Sequence, residues 1–265
     1  MRHDGFTLVE MIMVIAVTAI VAAVVAVFIK QPVQGYTDAA RRAEMTDIAD
    51  TALRRVGRDL RLALPNSARI DGGTAIEILL TRTGGRYRTE GPGDLDFTLA
   101  DTSLAQLGPL VAGQAIVPDT DRLVVYNLGI AGANAYAGDN TSVIRGVDNS
   151  TPDSPVISFD AKQFPLQSPG KRFQVIEGPV SYVCAGGVLT RYWGYAIQPA
   201  QPSAAALPGL AGVQSAVLAS NVGACAFDYT AGITARSGLV AMTLTITDSG
   251  ESVRLYHEVH VSNVP

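Results

Sequence analysis

The longest apolar run in the chain lies close to its start. From Met11 to Ile29 only Thr18 is polar, and between Asp4 and Lys30 the single charge is Glu10. At about 1.5 Å rise per residue a helix from Phe6 to Ile29 measures roughly 36 Å, enough to cross a hydrocarbon core of about 30 Å. A soluble helix of that length would carry a polar stripe, and this one has none. The pattern predicts a membrane-spanning helix over 6–29.

Pro32 and Gly35 then predict a kink or a short unwound stretch. Helical periodicity resumes at Thr37, where Ile48, Ala52, Leu53, Val56, Leu60 and Leu64 recur at three- and four-residue spacing, with Arg54, Arg55, Arg58 and Arg61 mostly off that face. Pro65 and Asn66 are expected to stop it, so the continuation of the helix occupies 30–66.

Beyond Asn66 the texture changes to short runs rich in Val, Ile, Leu, Thr and Tyr between loops dense in Gly, Pro, Asn and Asp. TAIEILLT, RLVVYNL, FQVIEG, PVSYVCA, VLTRYWGYAI, ACAFDYT, GLVAMTLTIT and SVRLYHEVHV are the expected strands. Long loops are expected at GIAGANAYAGDN, from Val147 to Gly170, and at QPAQPSAAALPGLAG. The fold class is α+β, a long N-terminal helix on a large antiparallel β-rich domain spanning 67–265. In SVRLYHEVHV, alternation places Val253, Leu255, His257, Val259 and Val261 on one face and Arg254, Tyr256, Glu258 and His260 on the other.

Composition supports a folded chain: 48% of residues are hydrophobic, enough for a substantial core. A net charge of -4 and a pI near 5.4 offer no general attraction to nucleic acid or to an anionic surface. No nucleic-acid partner is expected. A cleaved secretory signal would have an apolar region of only about 7–15 residues, shorter than this one. Arg2 precedes the span and Lys30, Arg41 and Arg42 follow it, so charge alone leaves the orientation open.

Cys184 and Cys225 are the only cysteines. Both sit in expected strands, and their spacing fits neither a C-x-x-C redox motif nor a zinc site. Two readings remain: a disulfide, contributing about 4 kcal/mol by closing a loop of about 40 residues, or two unpaired buried thiols. The disulfide requires an oxidising compartment and would put most of the chain outside the cytoplasm.

Other chemistry is sparse. HEVH, His257 to His260, has i+3 spacing within a strand, which points the imidazoles to opposite faces and away from a zinc-protease arrangement. Asp119 with Asp121, and Asp148 with Asp153, lie in oxygen-rich loops that could hold calcium but lack EF-hand spacing, so turn chemistry is the simpler reading. GPGD lacks the context of a phosphate cradle, and no G-x-S-x-G is present. Arg54, Arg55, Arg58 and Arg61 form a basic patch that could meet phosphate or carboxylate, a solvated helix face being the plainer reading. The expectation is a protein that is not an enzyme and takes no metal or cofactor.

GFTLVEM, behind a leader of 1–5 and directly ahead of the apolar helix, resembles the type IV prepilin signal. The resemblance implies a pilin-like fold, cleavage between Gly5 and Phe6 by a prepilin peptidase, methylation of the new Phe6 amine, and an assembly ion pair between that amine and Glu10. The far end, PVSYVCAGGVLTRYWGYAIQPAQP, VGACAFDYT and RSGLVAMTLTITDSGESVRLYHEVHVSNVP, is similar to minor pilins of MSHA-type pili and the J-type minor pseudopilins. About Ile70 to Ser168 carries no such likeness. These resemblances imply a single-pass inner-membrane subunit with a periplasmic β domain and a Cys184–Cys225 bridge. The implied partners are the prepilin peptidase/methyltransferase, an inner-membrane assembly platform, and other minor and major pilin subunits, with transfer from the membrane into a pilus or pseudopilus.

Overall fold

The computed structural model describes residues 7–231 and 237–265. Helix α1 runs from Leu8 to Arg61, 54 residues or about 81 Å. It passes through Pro32 without interruption, so the expected unwinding at Pro32–Gly35 does not occur. Proline removes one amide donor, that to the Phe28 carbonyl, and the turns on either side keep the helix intact.

The two halves of α1 have opposite surroundings. Every residue from Leu8 to Tyr36 is exposed, whereas Met45, Ala49, Ala52, Leu53, Val56, Gly57 and Leu60 are buried at three- and four-residue spacing. The helix ends earlier than Pro65 predicts. The Leu64 amide donates to the Leu79 carbonyl and the Thr81 amide to the Leu62 carbonyl, both at 2.8 Å, so residues 62–64 leave the helix to bond with a strand.

Among the described residues twelve strands follow. The first six are β1 (Arg69–Asp71), β2 (Ala75–Tyr87), β3 (Asp101–Leu107), β4 (Arg122–Val125), β5 (Thr141–Asp148) and β6 (Val156–Lys162). After them come β7 (Arg172–Ala185), β8 (Val188–Trp193), β9 (Gln214–Ala219), β10 (Val222–Thr230), β11 (Gly238–Asp248) and β12 (Glu251–Val261). Two expectations are corrected here. FQVIEG and PVSYVCA are one strand, β7, and the expected loop from Val147 to Gly170 contains β6, whose Ile157 and Phe159 are buried.

The larger sheet has the order β1-β2-β3-β6-β5-β4-β7-β8-β9, and β2 also pairs with β7. That extra pairing closes β2, β3, β6, β5, β4 and β7 into a six-stranded barrel. Its interior holds Tyr87, Leu104, Leu123, Ile144, Phe159, Phe164, Phe173 and Val175. The β2–β7 ladder extends past the barrel, from Arg86↔Arg172 to Ala75↔Val183, with register shifts between Leu80 and Thr83. Beyond those shifts Ile76, Ile78, Leu80, Val180 and Tyr182 join the core beneath α1. One strand pair therefore serves two cores, and the irregularity at its middle re-aims the side chains from one to the other.

Strands β10-β11-β12 form a separate antiparallel sheet under α1. Cys184 on β7 is bonded to Cys225 on β10, which fastens this sheet to the larger one. His257 is half-buried and faces the helix, as the alternation predicts. Its Nε2 would lie 3.2 Å from a Cβ added at Gly57, and Val259 Cγ2 at the same distance. The helix approaches β12 this closely because residue 57 has no side chain.

Two outcomes follow for thermal unfolding of the full chain in detergent. Gly57→Leu should lower stability by about 1–3 kcal/mol through overpacking. Replacing Cys184 and Cys225 together by alanine should cost about 2–5 kcal/mol, and a reducing agent should lower the wild-type midpoint but not that of the double variant.

Candidate assembly site

The helix start is built by Thr7. With φ -76° and ψ 150° it is extended, and its Oγ1 accepts the Glu10 amide at 3.3 Å while its carbonyl accepts the Met11 amide at 3.2 Å. Thr7-x-x-Glu10 is the spacing of a capping box, a further cue in the sequence to where the helix starts. Glu10 thus stands in the first turn, where the positive end of the helix dipole favours a carboxylate. Gly5 and Phe6, expected to carry cleavage and methylation, lie outside the described residues. Among the described residues Glu10 forms no ion pair.

From Met11 to Ile29 the helix surface beyond Glu10 is apolar apart from Thr18. Leu8, Ile12, Ile15 and Ile20 are 76%, 58%, 62% and 65% exposed, and an apolar surface of that extent marks a membrane or protein contact. Thr18 is compatible with lipid because its hydroxyl donates to the Val14 carbonyl at 2.7 Å. The helix is long and apolar enough to cross a membrane, and none of that segment is buried in the protein.

Where α1 meets the β domain, polar groups take over. Arg42 pairs with Glu251 at 2.8 Å, and Arg41 approaches Asp38, Asp248 and Glu251 at 3.4–4.0 Å, so the β11–β12 turn clasps the helix. Deeper, buried Asp59 accepts Tyr182 Oη at 2.6 Å and Arg191 Nε at 2.9 Å. Buried Glu77 accepts Arg69 at 2.6 Å, Tyr195 at 3.1 Å and Ser181 at 3.2 Å. The first network orients α1 on the sheet, and the second ties β1, β2, β7 and the segment after β8. Sequence reasoning missed both, since their partners are far apart in the chain.

The remaining candidates are placed as follows. Asp119 pairs with Arg145 at 2.7 Å and Asp121 with Arg82 at 2.8 Å, while Asp148 accepts the Ser150 amide. His257 and His260 point to opposite faces of β12. No cluster of three or more metal-ligating side chains occurs among the described residues. Arg54 and Arg55 pair with Asp50 and Asp59 of the same helix, and Arg58 and Arg61 are exposed.

Residues 1–26 match the family model described as a prokaryotic N-terminal methylation motif. No curated protein and no solved structure matches the chain. The motif covers the start of the chain alone. Together with the exposed apolar half of α1 it supports a type IV pilin-like protein, anchored in a membrane by that helix, processed by a prepilin peptidase and assembling with other pilins.

Burial raises the pKa of four tyrosines, Tyr87, Tyr136, Tyr182 and Tyr195, with the charge of Asp59 adding to the rise at Tyr182 and that of Glu77 at Tyr136 and Tyr195. Their folded values exceed the ordinary value of about 10, so their contribution to stability is full below that pH and is lost as pH rises above it. In an alkaline titration, tyrosinate absorbance from these four should appear together with loss of far-ultraviolet circular dichroism, not before it.

Proposed function

We propose that this protein is a minor pilin, an inner-membrane prepilin whose β domain faces the periplasm and joins other minor pilins to start or cap an MSHA-type pilus. Its work is assembly, with no catalysis. The observation that carries this reading is the single carboxylate, Glu10, set in the first turn of an otherwise apolar and wholly exposed half-helix. The choice of an MSHA-type system, with a role like that of the MSHA biogenesis protein MshO, rests on the sequence resemblance noted above for the C-terminal strands.

The physics of Glu10 favours an assembly role. A carboxylate inside a spanning helix costs on the order of 2.5–3.5 kcal/mol at the bilayer centre and less near an interface. Cleavage after Gly5 creates a cation for it: the Phe6 amine, four residues away in sequence on the same chain, or the amine of a neighbouring subunit. Methylation keeps that charge. In a bundle of such helices the pair fixes the register between neighbours at the usual desolvation cost.

Glu10→Ala should leave membrane insertion and processing intact and sharply reduce filament number, counted by electron microscopy. Normal filament numbers in that variant would sink the ion-pair role. Gly5→Val should leave an unshortened precursor on a gel. Deletion of the gene should abolish surface pili; loss of secreted enzymes with pili retained would instead assign the chain as the J-type pseudopilin of a type II secretion system.

A further inference from the structure

Arg86 and Arg172 are direct cross-strand partners on β2 and β7. Their neighbours Tyr87 and Phe173 fill the barrel, so alternation turns both arginines outward, and both are exposed. Like charges placed opposite each other destabilise a strand pair. Among the described residues neither arginine forms an ion pair within 4.0 Å. Lys171 and Arg88 adjoin them in sequence, and the Arg88 Nε, shielded from water, has no hydrogen-bond partner. In a chain of net charge -4 this is a local concentration of positive charge.

The two arginines line a groove of about 470 Å³, within the range of about 300–1,000 Å³ usual for small-molecule sites. Gly84 keeps the groove open: a Cβ there would come within 2.9 Å of the Phe173 carbonyl oxygen, so no side chain can occupy the space. Thr81 and Gln174 also line it, and the Thr81 Oγ1 and Gln174 Oε1 lack hydrogen-bond partners although shielded from solvent. Leu107, 50% exposed, and Pro109 add an apolar wall.

We propose that this groove binds a carboxylated sugar of the kind found in acidic polysaccharides. The arginine pair offers the planar, forked donors that suit a carboxylate. The amide nitrogen of Gln174 offers a partner for a ring hydroxyl, and Leu107 with Pro109 covers ring carbons. A nucleic-acid duplex suits the groove less well, since it needs cations spread along its phosphates, whereas here they are gathered at one place on an acidic protein. The proposal stands apart from Glu10 and from filament assembly.

The test is titration calorimetry of the full chain in detergent at fixed ionic strength with trigalacturonate, maltotriose and a short DNA duplex. Trigalacturonate should bind and neutral maltotriose should not. Arg86→Gln with Arg172→Gln should weaken binding about tenfold or more without lowering the thermal midpoint, because the substitution removes a repulsion. Arg172→Lys should also weaken it, since a point charge cannot reproduce the fork. The proposal is overturned if trigalacturonate does not bind, if maltotriose binds as well, if the duplex binds more tightly, or if the folded double variant retains wild-type affinity.

Discussion

The pairing of β2 with β7 is the constraint on which the rest of the β domain depends. These two strands contribute to both cores: Tyr87, Phe173 and Val175 fill the barrel, while Ile76, Ile78, Val180 and Tyr182 pack under the helix. The change of allegiance occurs across the shifted register from Leu80 to Thr83. A regular ladder would keep each strand's alternate residues on one face throughout. The shift lets a single strand pair present apolar side chains first to one partner and then to another.

Helix α1 follows the same economy along its axis. Its C-terminal half is an ordinary amphipathic helix on a sheet, held by apolar contacts, by the close approach at Gly57, and by the buried Asp59, Tyr182 and Arg191 group. Its N-terminal half contributes nothing to the domain's core. Burial of the first half in lipid or among other helices is therefore energetically separate from folding of the second. A subunit built this way can exchange one apolar environment for another while its β domain stays folded.

How much of this was legible depended on the range of the interactions. The apolar run, the face Ile48 to Leu60 and strands such as GLVAMTLTIT announce themselves locally, because each carries its own periodicity. The barrel did not: β3, β5 and β6 are short and partly polar, and only a few inward residues, such as Leu104, Ile144 and Ile157, mark them. Glu77 in AIEILL carries no local sign of its role, because its partners Ser181 and Tyr195 lie more than a hundred residues away. At the assembly site Glu10 was conspicuous as a lone charge. Thr7 was less so, because capping depends on where the helix begins, and Gly5 and Phe6 fall outside the described residues.

The junction between α1 and β2 has a mechanical consequence. Two backbone hydrogen bonds, Leu64 to Leu79 and Thr81 to Leu62, join the end of the helix to the middle of β2, bypassing the turn and β1 that separate them in the chain. Tension drawn along the helix reaches β2 near its centre, where the strand is paired with β7 on both sides of the attachment. The Cys184–Cys225 bond carries the load onward from β7 to the second sheet. A force applied at the N-terminus is thus shared by the two sheets, and the subunit can act as a tensile link.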